Sequence, residues 1–230
     1  RSRWEHPQGK LGPPDLFTPL GWQNGSIIEI GKWVLDQACS QLRQWHAEGY
    51  TGLRVAVNLS TVQLRHPQLP QMIGELLQKH QLPAETLELE VTETGLMEDI
   101  DAAAHNLHSL RRSGALIAID DFGTGYSSLQ YLKRLPLNQI KIDQSFVRDI
   151  TTDQNDAAIV HTIIAMTESL GLNVIAEGVE TKAQQAFLDS HGCHAFQGFL
   201  FGEPLPVEQF EALLRQNENI EAEMSCPSVV

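Results

Sequence analysis

The stretch Leu116-Ile117-Ala118-Ile119-Asp120-Asp121 is a short apolar run that ends in two acidic residues, and its recurrence along the chain indicates the fold class. Four further short apolar segments also end in a polar residue. These residues are Asn58, Glu90, Lys141 and Glu177. Stretches of helical periodicity separate the segments, and strands that alternate with helices indicate a parallel α/β fold. The carboxyl ends of such strands all lie on one side, so we expect these polar side chains to meet there.

Two architectures of this class remain open from the pattern alone. Six strands can be counted, which suits an open doubly wound sheet, whereas a closed (β/α)8 barrel needs eight strands. The spread of polar strand ends favours a barrel, because the ends of distant strands converge only when the sheet closes. The missing strands would then have to come from upstream of Arg1.

The helical segments can be placed from the spacing of apolar residues and from Gly and Pro breaks. Long helices are predicted at Ile27–Trp45, Gln68–Gln81, Ile100–Arg112, Asp156–Leu170, Thr181–Ser190 and Val207–Gln216. A short helix should follow the loop at 122–126, with Ser127 or Ser128 as its N-cap. We expect one domain over residues 1–217 and a polar, disordered tail over residues 218–230.

Composition excludes several classes of protein. The net charge of −13 argues against binding of a DNA or RNA polymer, which needs a basic surface. No apolar run approaches the roughly 18 residues that cross a membrane, so we expect no membrane contact by this domain. The three cysteines show no metal or disulfide spacing, which favours a reducing, cytoplasmic compartment. Because the chain begins with Arg1, we expect it to be a piece of a longer protein or a processed product, and the parent protein could be membrane-anchored.

Asp120 and Asp121 form the sharpest single feature of the sequence. Two adjacent carboxylates at a buried strand end repel each other unless cations lie between them. A carboxylate that bridges two metal ions is a standard arrangement for cleaving phosphoesters. The alternative is structural: Asp121 would cap the following turn, and Asp120 would be an isolated surface acid.

The other strand ends support the same interpretation but are weak singly. Asn58 offers a carbonyl oxygen for a hard cation, although turn chemistry also explains it. Glu90 should point into the site and Glu93 toward a neighbouring loop, unless both belong to a solvated acidic face. A buried Lys141 needs a partner, which could be a carboxylate cluster, a phosphate or, in a purely structural pair, Asp143.

Two later segments add candidate residues. Glu177 is a strand-end acid beside a glycine. Gln197 offers an amide beside the bare backbone of Gly198, which suits the edge of a nucleobase.

Six motifs together resemble the EAL-domain phosphodiesterases of cyclic di-GMP. They are Asn58-Leu59-Ser60, Glu90-Val91-Thr92-Glu93, Asp120-Asp121-Phe122-Gly123-Thr124-Gly125-Tyr126-Ser127-Ser128-Leu129, Lys141-Ile142-Asp143, Ala176-Glu177-Gly178-Val179-Glu180 and Gln197-Gly198-Phe199. The resemblance covers about residues 3–216. It implies a modified TIM-type (β/α)8 barrel that lacks its N-terminal strand or strands in this chain.

The resemblance also implies an activity and roles for residues. The activity is metal-dependent hydrolysis of cyclic di-GMP to linear pGpG in bacterial signalling, with two Mg²⁺ or Mn²⁺ ions. The implied metal ligands are Asn58, Glu90, Asp120 and Asp121. Lys141 would position the attacking water, and Glu177 would be a possible general base. The implied substrate contacts are Arg3, Gln197 and Glu180. The implied supports of the site and of its loop are Glu93, Gly123, Thr124, Gly125 and Asp143.

The chain departs from the family pattern in two places. The glutamate of the Glu-Ala-Leu motif would fall before Arg1, and Arg1 stands where the motif has leucine. The segment Leu20–Gly25 lacks the acidic residues usual in the family. Glu211-Ala212-Leu213 is not the motif, because it lies in the last helix, and we expect it to be a solvated helix face with two core contacts.

These departures leave alternatives to an active phosphodiesterase. A catalytically impaired receptor would bind cyclic di-GMP without cleaving it, and a purely structural barrel would pair its acids only with lysines. The resemblance further implies a homodimer and a fusion to an upstream sensory or diguanylate-cyclase module.

Overall fold

The computed structural model describes residues 4–5, 11–12, 26–125 and 129–225 of the chain. The β-strands of this part are β1 Trp4–Glu5, β2 Leu11–Gly12, β3 Val55–Leu59, β4 Leu87–Thr92, β5 Leu116–Phe122, β6 Gln139–Ile142, β7 Asn173–Glu177 and β8 Phe196–Gln197. The α-helices are α1 Ile27–Ala47, α2 Thr61–Leu64, α3 Leu69–His80, α4 Glu93–Met97, α5 Ile100–Ser113, α6 Leu129–Leu132, α7 Gln144–Arg148, α8 Gln154–Leu170, α9 Lys182–Ser190 and α10 Val207–Ser225.

The main sheet contains six parallel strands in the order β3-β4-β5-β6-β7-β8. Each strand pairs with the next one along the chain, and helices connect them. A doubly wound sheet would reverse its strand order at a switch point, and this sheet does not. The order is that of a singly wound barrel of the TIM type, so the open-sheet alternative is wrong. Among the described residues, β1 and β2 form a separate antiparallel pair.

The strands alternate between two environments. In β4, Leu87, Leu89 and Val91 are fully buried against the surrounding helices. Glu88 and Glu90 lie between them in sequence and therefore point to the other face of the sheet. The helices complete the core with apolar stripes, such as Leu35, Cys39 and Leu42 of α1. The helices therefore pack on the outer face of the sheet, and polar residues such as Glu88 and Glu90 lie on its inner face.

Most predicted helix bounds agree with the structure to within two residues. The exception is α10, which continues to Ser225, whereas a disordered tail was expected from residue 218 onward. Residues 218–225 consist mainly of strong helix formers such as glutamate, alanine and methionine, so the helix need not stop at Gln216. Ser127 and Ser128, the predicted caps of α6, lie outside the described residues. No helix in the described part of the chain is long and apolar enough to span a bilayer.

The prediction of a solvated face at Glu211 is wrong. Its side chain accepts hydrogen bonds from Gln41 Nε2 at 3.3 Å and from Trp45 Nε1 at 3.2 Å, both in α1. Helical periodicity shows which residues share a face but not which other helix covers it, so this contact required the tertiary structure.

Candidate active site

The candidate site lies at the carboxyl ends of β3 to β8. Register places Asn58 opposite Glu90, and Glu177 opposite Gln197. Lys141 lies on β6, between the strands that carry Asp120 and Glu177. The structure therefore brings together polar residues that are far apart in the sequence, as the strand-end pattern predicts.

Lys141 is the centre of the site and is almost fully buried. Its Nζ atom lies 2.7 Å from Glu90 Oε1, 2.7 Å from Glu177 Oε1 and 3.0 Å from Asp120 Oδ1. Burial alone lowers the pKa of Lys141, but the charges of Glu90 and Glu177 and their hydrogen bonds outweigh burial and raise that pKa above its ordinary value. The lysine is therefore a permanent cation that holds three carboxylates from three strands.

Asp120 carries a buried carboxylate oxygen, Oδ1, that accepts no hydrogen bond from the described residues. Lys141 is close enough for an ion pair, but its direction of approach does not satisfy a hydrogen bond. A buried acceptor without a hydrogen bond is costly and rare in folded proteins. Oxygens of Asp120, Asp121 and Glu177 lie within 4.8 Å of one another. Together these observations fit a site for hard divalent cations, which prefer carboxylate oxygen ligands.

The backbone at Asp121 explains how two successive carboxylates share one site. Asp121 has a φ of 53°, in the left-handed region, and the pairing of β5 with β6 is irregular between Ile119 and Phe122. Aspartate tolerates this region better than most residues. The irregularity turns the side chain of Asp121 out of the strict strand alternation.

The acidic cluster shifts the titration of its members. Burial above all, followed by the charges of Asp120 and Asp143, raises the pKa of Asp121 to about 6. Burial also raises the pKa of Glu177 to about 6, against the lowering effect of Lys141. The raised pKa values mean that the ionised carboxylates are unfavourable in this site, and bound cations would stabilise their ionised forms.

Asn58 and Lys141 hold Glu90 from two sides. Asn58 Nδ2 donates to Glu90 Oε2 at 3.0 Å, while Lys141 contacts the other oxygen. Asn58 itself is exposed, so its side chain remains accessible at the rim of the site.

Glu93 supports the loop that follows β5. One of its carboxylate oxygens, Oε2, accepts hydrogen bonds from Gly123 N at 2.9 Å and Gly125 N at 3.1 Å. A Cβ atom at Gly125 would lie only 2.9 Å from Glu93 Cδ, so a larger residue there would require the Glu93 carboxylate to shift. Thr124 closes the turn by donating from Oγ1 to Asp121 O at 2.9 Å.

Asp143 caps a helix and does not form the structural ion pair with Lys141 that was considered from the sequence. It is the N-cap of α7 and accepts hydrogen bonds from the backbone N–H and the hydroxyl of Ser145. The ion-pair partners of Lys141 among the described residues are the three carboxylates above, so the interpretation of Asp143 as the partner of Lys141 is wrong. As N-cap, Asp143 faces Asp121 and raises its pKa.

The predicted substrate contacts lie at the edge of the site or beyond the described residues. Gln197 ends β8 and is exposed, and Glu180 is exposed in the loop after β7. Arg3 lies outside the described residues. The contact roles of these three residues stay predictions.

Sequence reasoning missed one residue pair and one further residue near the site. Gln139 Nε2 donates to Glu88 Oε1 at 3.0 Å, one inward position below Lys141 and Glu90. Gln184 is buried and binds the backbone of the loop after β7. The spacing Thr181-x-x-Gln184 is a capping-box pattern and could have shown Gln184, whereas no local pattern shows the pairing of Glu88 with Gln139.

Comparisons with known proteins agree with this geometry. A family model described as "EAL domain" matches residues 1–204. The chain belongs to the EAL domain family. This confirms the resemblance read from the six motifs, and it confirms the fold as a barrel of the modified TIM type, represented here by six parallel strands.

Several relatives are similar over nearly the whole chain. The bifunctional diguanylate cyclase/cyclic di-GMP phosphodiesterase MucR of Pseudomonas aeruginosa is 50% identical over 91% of this chain and 31% of its own length. The cyclic di-GMP phosphodiesterase NbdA of the same organism is 49% identical over 93% of this chain and 27% of its own length. The chain thus spans less than a third of either curated relative.

Solved structures show the same architecture. A complex of the MucR phosphodiesterase with c-di-GMP has a TM-score of 0.86 at 50% identity, covering 90% of this chain and 84% of that one. The FimX EAL domain from Pseudomonas aeruginosa bound to c-di-GMP has a TM-score of 0.81 at 27% identity, covering 88% and 81%.

Proposed function

We propose that this chain hydrolyses cyclic di-GMP to linear pGpG with two divalent cations, Mg²⁺ or Mn²⁺. The observation that carries the proposal is the buried Asp120 carboxylate, which lacks a hydrogen-bond partner among the described residues beside the acidic group it forms with Asp121 and Glu177. Half of the aligned residues are identical to those of a relative named as a cyclic di-GMP phosphodiesterase, which supports the substrate.

The residues that would hold the cations are Asn58, Glu90, Asp120 and Asp121, with Glu177 beside them. Oxygens of Asp120, Asp121 and Glu177 lie within 4.8 Å of one another, and Glu90 contacts both Asn58 and Lys141, which supports this set. Divalent cations at such a site stabilise negative charge on a phosphodiester and make water a stronger nucleophile. Lys141 could keep its contact with Glu177 Oε1, because the second oxygen of that carboxylate can accept another ligand, whereas the second oxygen of Glu90 already accepts a hydrogen bond from Asn58 Nδ2.

The chain's own side chains would then orient the reaction. Lys141 holds Glu177 Oε1 at 2.7 Å and adds a positive charge that favours an anionic substrate. Glu177 is mostly ionised at pH 7, so its carboxylate would accept the proton of the attacking water. Gln197 and Glu180, exposed at the rim, would contact the dinucleotide.

We propose the same wider setting that the family resemblance implies. The relatives are longer signalling proteins, which supports a protein in which this domain follows a sensory or diguanylate-cyclase module. Homodimerisation and a cytoplasmic location of the domain belong to the same proposal.

The test is turnover of cyclic di-GMP by this chain and by a version extended upstream, each with Mn²⁺ or Mg²⁺ and without added cation. The matched control is the double variant Asp120→Asn, Asp121→Asn, which removes two of the proposed ligands. Cation-dependent formation of pGpG that the double variant loses would support the proposal. Ligand binding without any pGpG from either version would replace it with a receptor function.

A further inference from the structure

Gln184, in the first turn of α9, connects two backbone segments near the site. Its Oε1 accepts hydrogen bonds from Glu180 N at 2.8 Å and Thr181 N at 2.9 Å. Its Nε2 donates to Arg148 O at 3.0 Å, at the end of α7. The amide is buried, and both of its ends are used. One side chain therefore ties the loop 178–181, which directly follows Glu177, to α7.

The helix α7 also contacts the loop from its other end. Gly178, with a φ of +70°, lies so close to α7 that a Cβ atom there would be 2.6 Å from Gln144 Cβ. The contact is to a side-chain atom next to the backbone, so it leaves no room for adjustment. The loop after Glu177 thus rests on the first residue of α7 and is held by hydrogen bonds near its last.

The loop 122–125, which follows Asp121, packs against the same helix. A Cβ atom at Gly123 would lie 2.8 Å from Phe146 Cε2, in the middle of α7. Asp143, the N-cap of α7, faces Asp121. A single short helix therefore contacts the loops that follow two strands of the acidic site.

We infer that Gln184 is a positioning residue, which places Glu177 through the loop 178–181 and couples that loop to the loop 122–125 through α7. The effect of Gln184 on turnover rests on the proposed function, whereas the coupling between the loops 178–181 and 122–125 is a property of the fold. Because interiors are close-packed, a shift of α7 on one side must be followed on the other. Gln184 itself is not placed in contact with the substrate or the reacting atoms.

Two substitutions separate the two ends of this side chain. Gln184→Met has a similar size and removes both hydrogen-bonding functions. Gln184→Glu retains the acceptor for the Glu180 and Thr181 amides and removes the donor to Arg148 O. Gln185→Met is the matched control, because it makes the same change at the next position, where the side chain contacts Lys182 instead.

The main measurement is amide hydrogen exchange in the full chain. In Gln184→Met we expect exchange at Glu180 and Thr181 to rise about tenfold, the effect of losing one hydrogen bond of ordinary strength. We also expect a rise of about threefold or more at Gly123 and Gly125, whose amides Gln184 does not touch. In Gln184→Glu, the amides of Glu180 and Thr181 should stay protected, while those of Gly123 and Gly125 should exchange faster. The core amides of Leu89 and Ile119 serve as the reference for global unfolding.

Turnover provides the catalytic readout. Gln184→Met should lower kcat about tenfold, because it moves Glu177, and should raise KM by a smaller factor, because Glu180, a proposed contact of the dinucleotide, lies in the same loop. Exchange that changes only at Glu180 and Thr181, with kcat unchanged, would reduce Gln184 to a local cap and overturn the inference.

A second variant, Phe146→Leu, tests the coupling if Gln184→Met does not fold, because it perturbs α7 from the side of the loop 122–125. Faster exchange at the Glu180 and Thr181 amides would then support the coupling, and unchanged exchange would oppose it. If the chain binds but does not hydrolyse cyclic di-GMP, the exchange data still decide the coupling. Failure of the proposed function is thereby distinguished from failure of the inference.

Discussion

The indole Nε1 of Trp45 donates a hydrogen bond to Glu211 Oε1 at 3.2 Å, across 166 residues of sequence. Trp45 lies in α1, which precedes β3, and Glu211 lies in α10, which follows β8. These strands are the two ends of the parallel sheet. Helices from opposite ends of the sheet can meet only if the sheet curls, so this contact records the barrel-like curvature directly. The ring of Phe210 also packs on Trp45, at a centroid distance of 5.2 Å, and adds to the contact between α1 and α10.

Replacing Glu211 with alanine should therefore lower the free energy of unfolding by roughly 1–2 kcal/mol, because it leaves the Trp45 and Gln41 donors without this acceptor. Chemical denaturation followed by Trp fluorescence measures the change. Gln209→Ala, an exposed position of the same helix, should change stability by less than about 0.5 kcal/mol. Equal effects of the two substitutions would contradict the role of Glu211.

Replacing Lys141 with methionine should destabilise the chain strongly when divalent cations are absent. It leaves Glu90, Asp120 and Glu177 without their shared cation, and breaking a buried ion pair costs about 3–5 kcal/mol. Adding Mn²⁺ should raise the Tm of this variant more than that of the unchanged chain, because the added charge substitutes for the lysine. Thermal unfolding with and without Mn²⁺, beside the exposed control Lys133→Met, measures both effects. A variant as stable as the parent would show that the lysine does not hold the cluster.

The stability of the chain without divalent cations should rise as the pH falls through about 6. The pKa of Glu177 is raised on folding from 4.5 to about 6, so the folded chain binds more protons than the unfolded chain between these values. Between pH 7 and pH 4.5 this group should add on the order of 2 kcal/mol to the free energy of unfolding. The measurement is the difference in pH dependence between the chain and Glu177→Gln, which should lack this gain. Parallel curves for the two proteins would count against the raised pKa.

Replacing Glu93 with alanine should release the loop that follows Asp121. The Gly123 and Gly125 amides would lose a charged acceptor, and such hydrogen bonds are worth about 1.5–3 kcal/mol each. We expect faster exchange at these two amides and a large loss of turnover with little change in the core. Glu98→Ala, whose exposed carboxylate pairs with Arg65, is the control. Unchanged protection of the two glycine amides would refute the role.

Replacing Gly198 with alanine should displace β8 from the loop after β7. A Cβ atom there would lie 2.2 Å from Val179 O and 2.3 Å from Val179 N, and neither backbone atom can move easily. We expect a loss of roughly 1–3 kcal/mol in the free energy of unfolding. Gly202→Ala meets no atom within 4 Å and should be nearly neutral. The comparison of the two glycines by denaturation tests the close approach.

Much of the site was accessible from the sequence because strand ends in a parallel sheet share one side. The alternation of apolar and polar residues in Leu87–Thr92 placed Glu90 inside, and the same reasoning placed Lys141 beside the acids. It did not show which acid pairs with the lysine: Asp143 is only two residues away in sequence, yet Glu90, Asp120 and Glu177 are the partners. Inward direction follows from a period of two, whereas the partner depends on which strands are neighbours.

The fold class, the family and the set of polar residues at the strand ends could all be predicted from the sequence. These follow from local periodicity and from motifs that are contiguous in the chain. Four features required the tertiary structure: the left-handed turn at Asp121, the buried Asp120 oxygen that pairs with Lys141 without a hydrogen bond, the contact between Trp45 and Glu211, and the link from Gln184 to α7. Each of these depends on atoms brought together by the curvature of the sheet and by close packing, which no local pattern encodes.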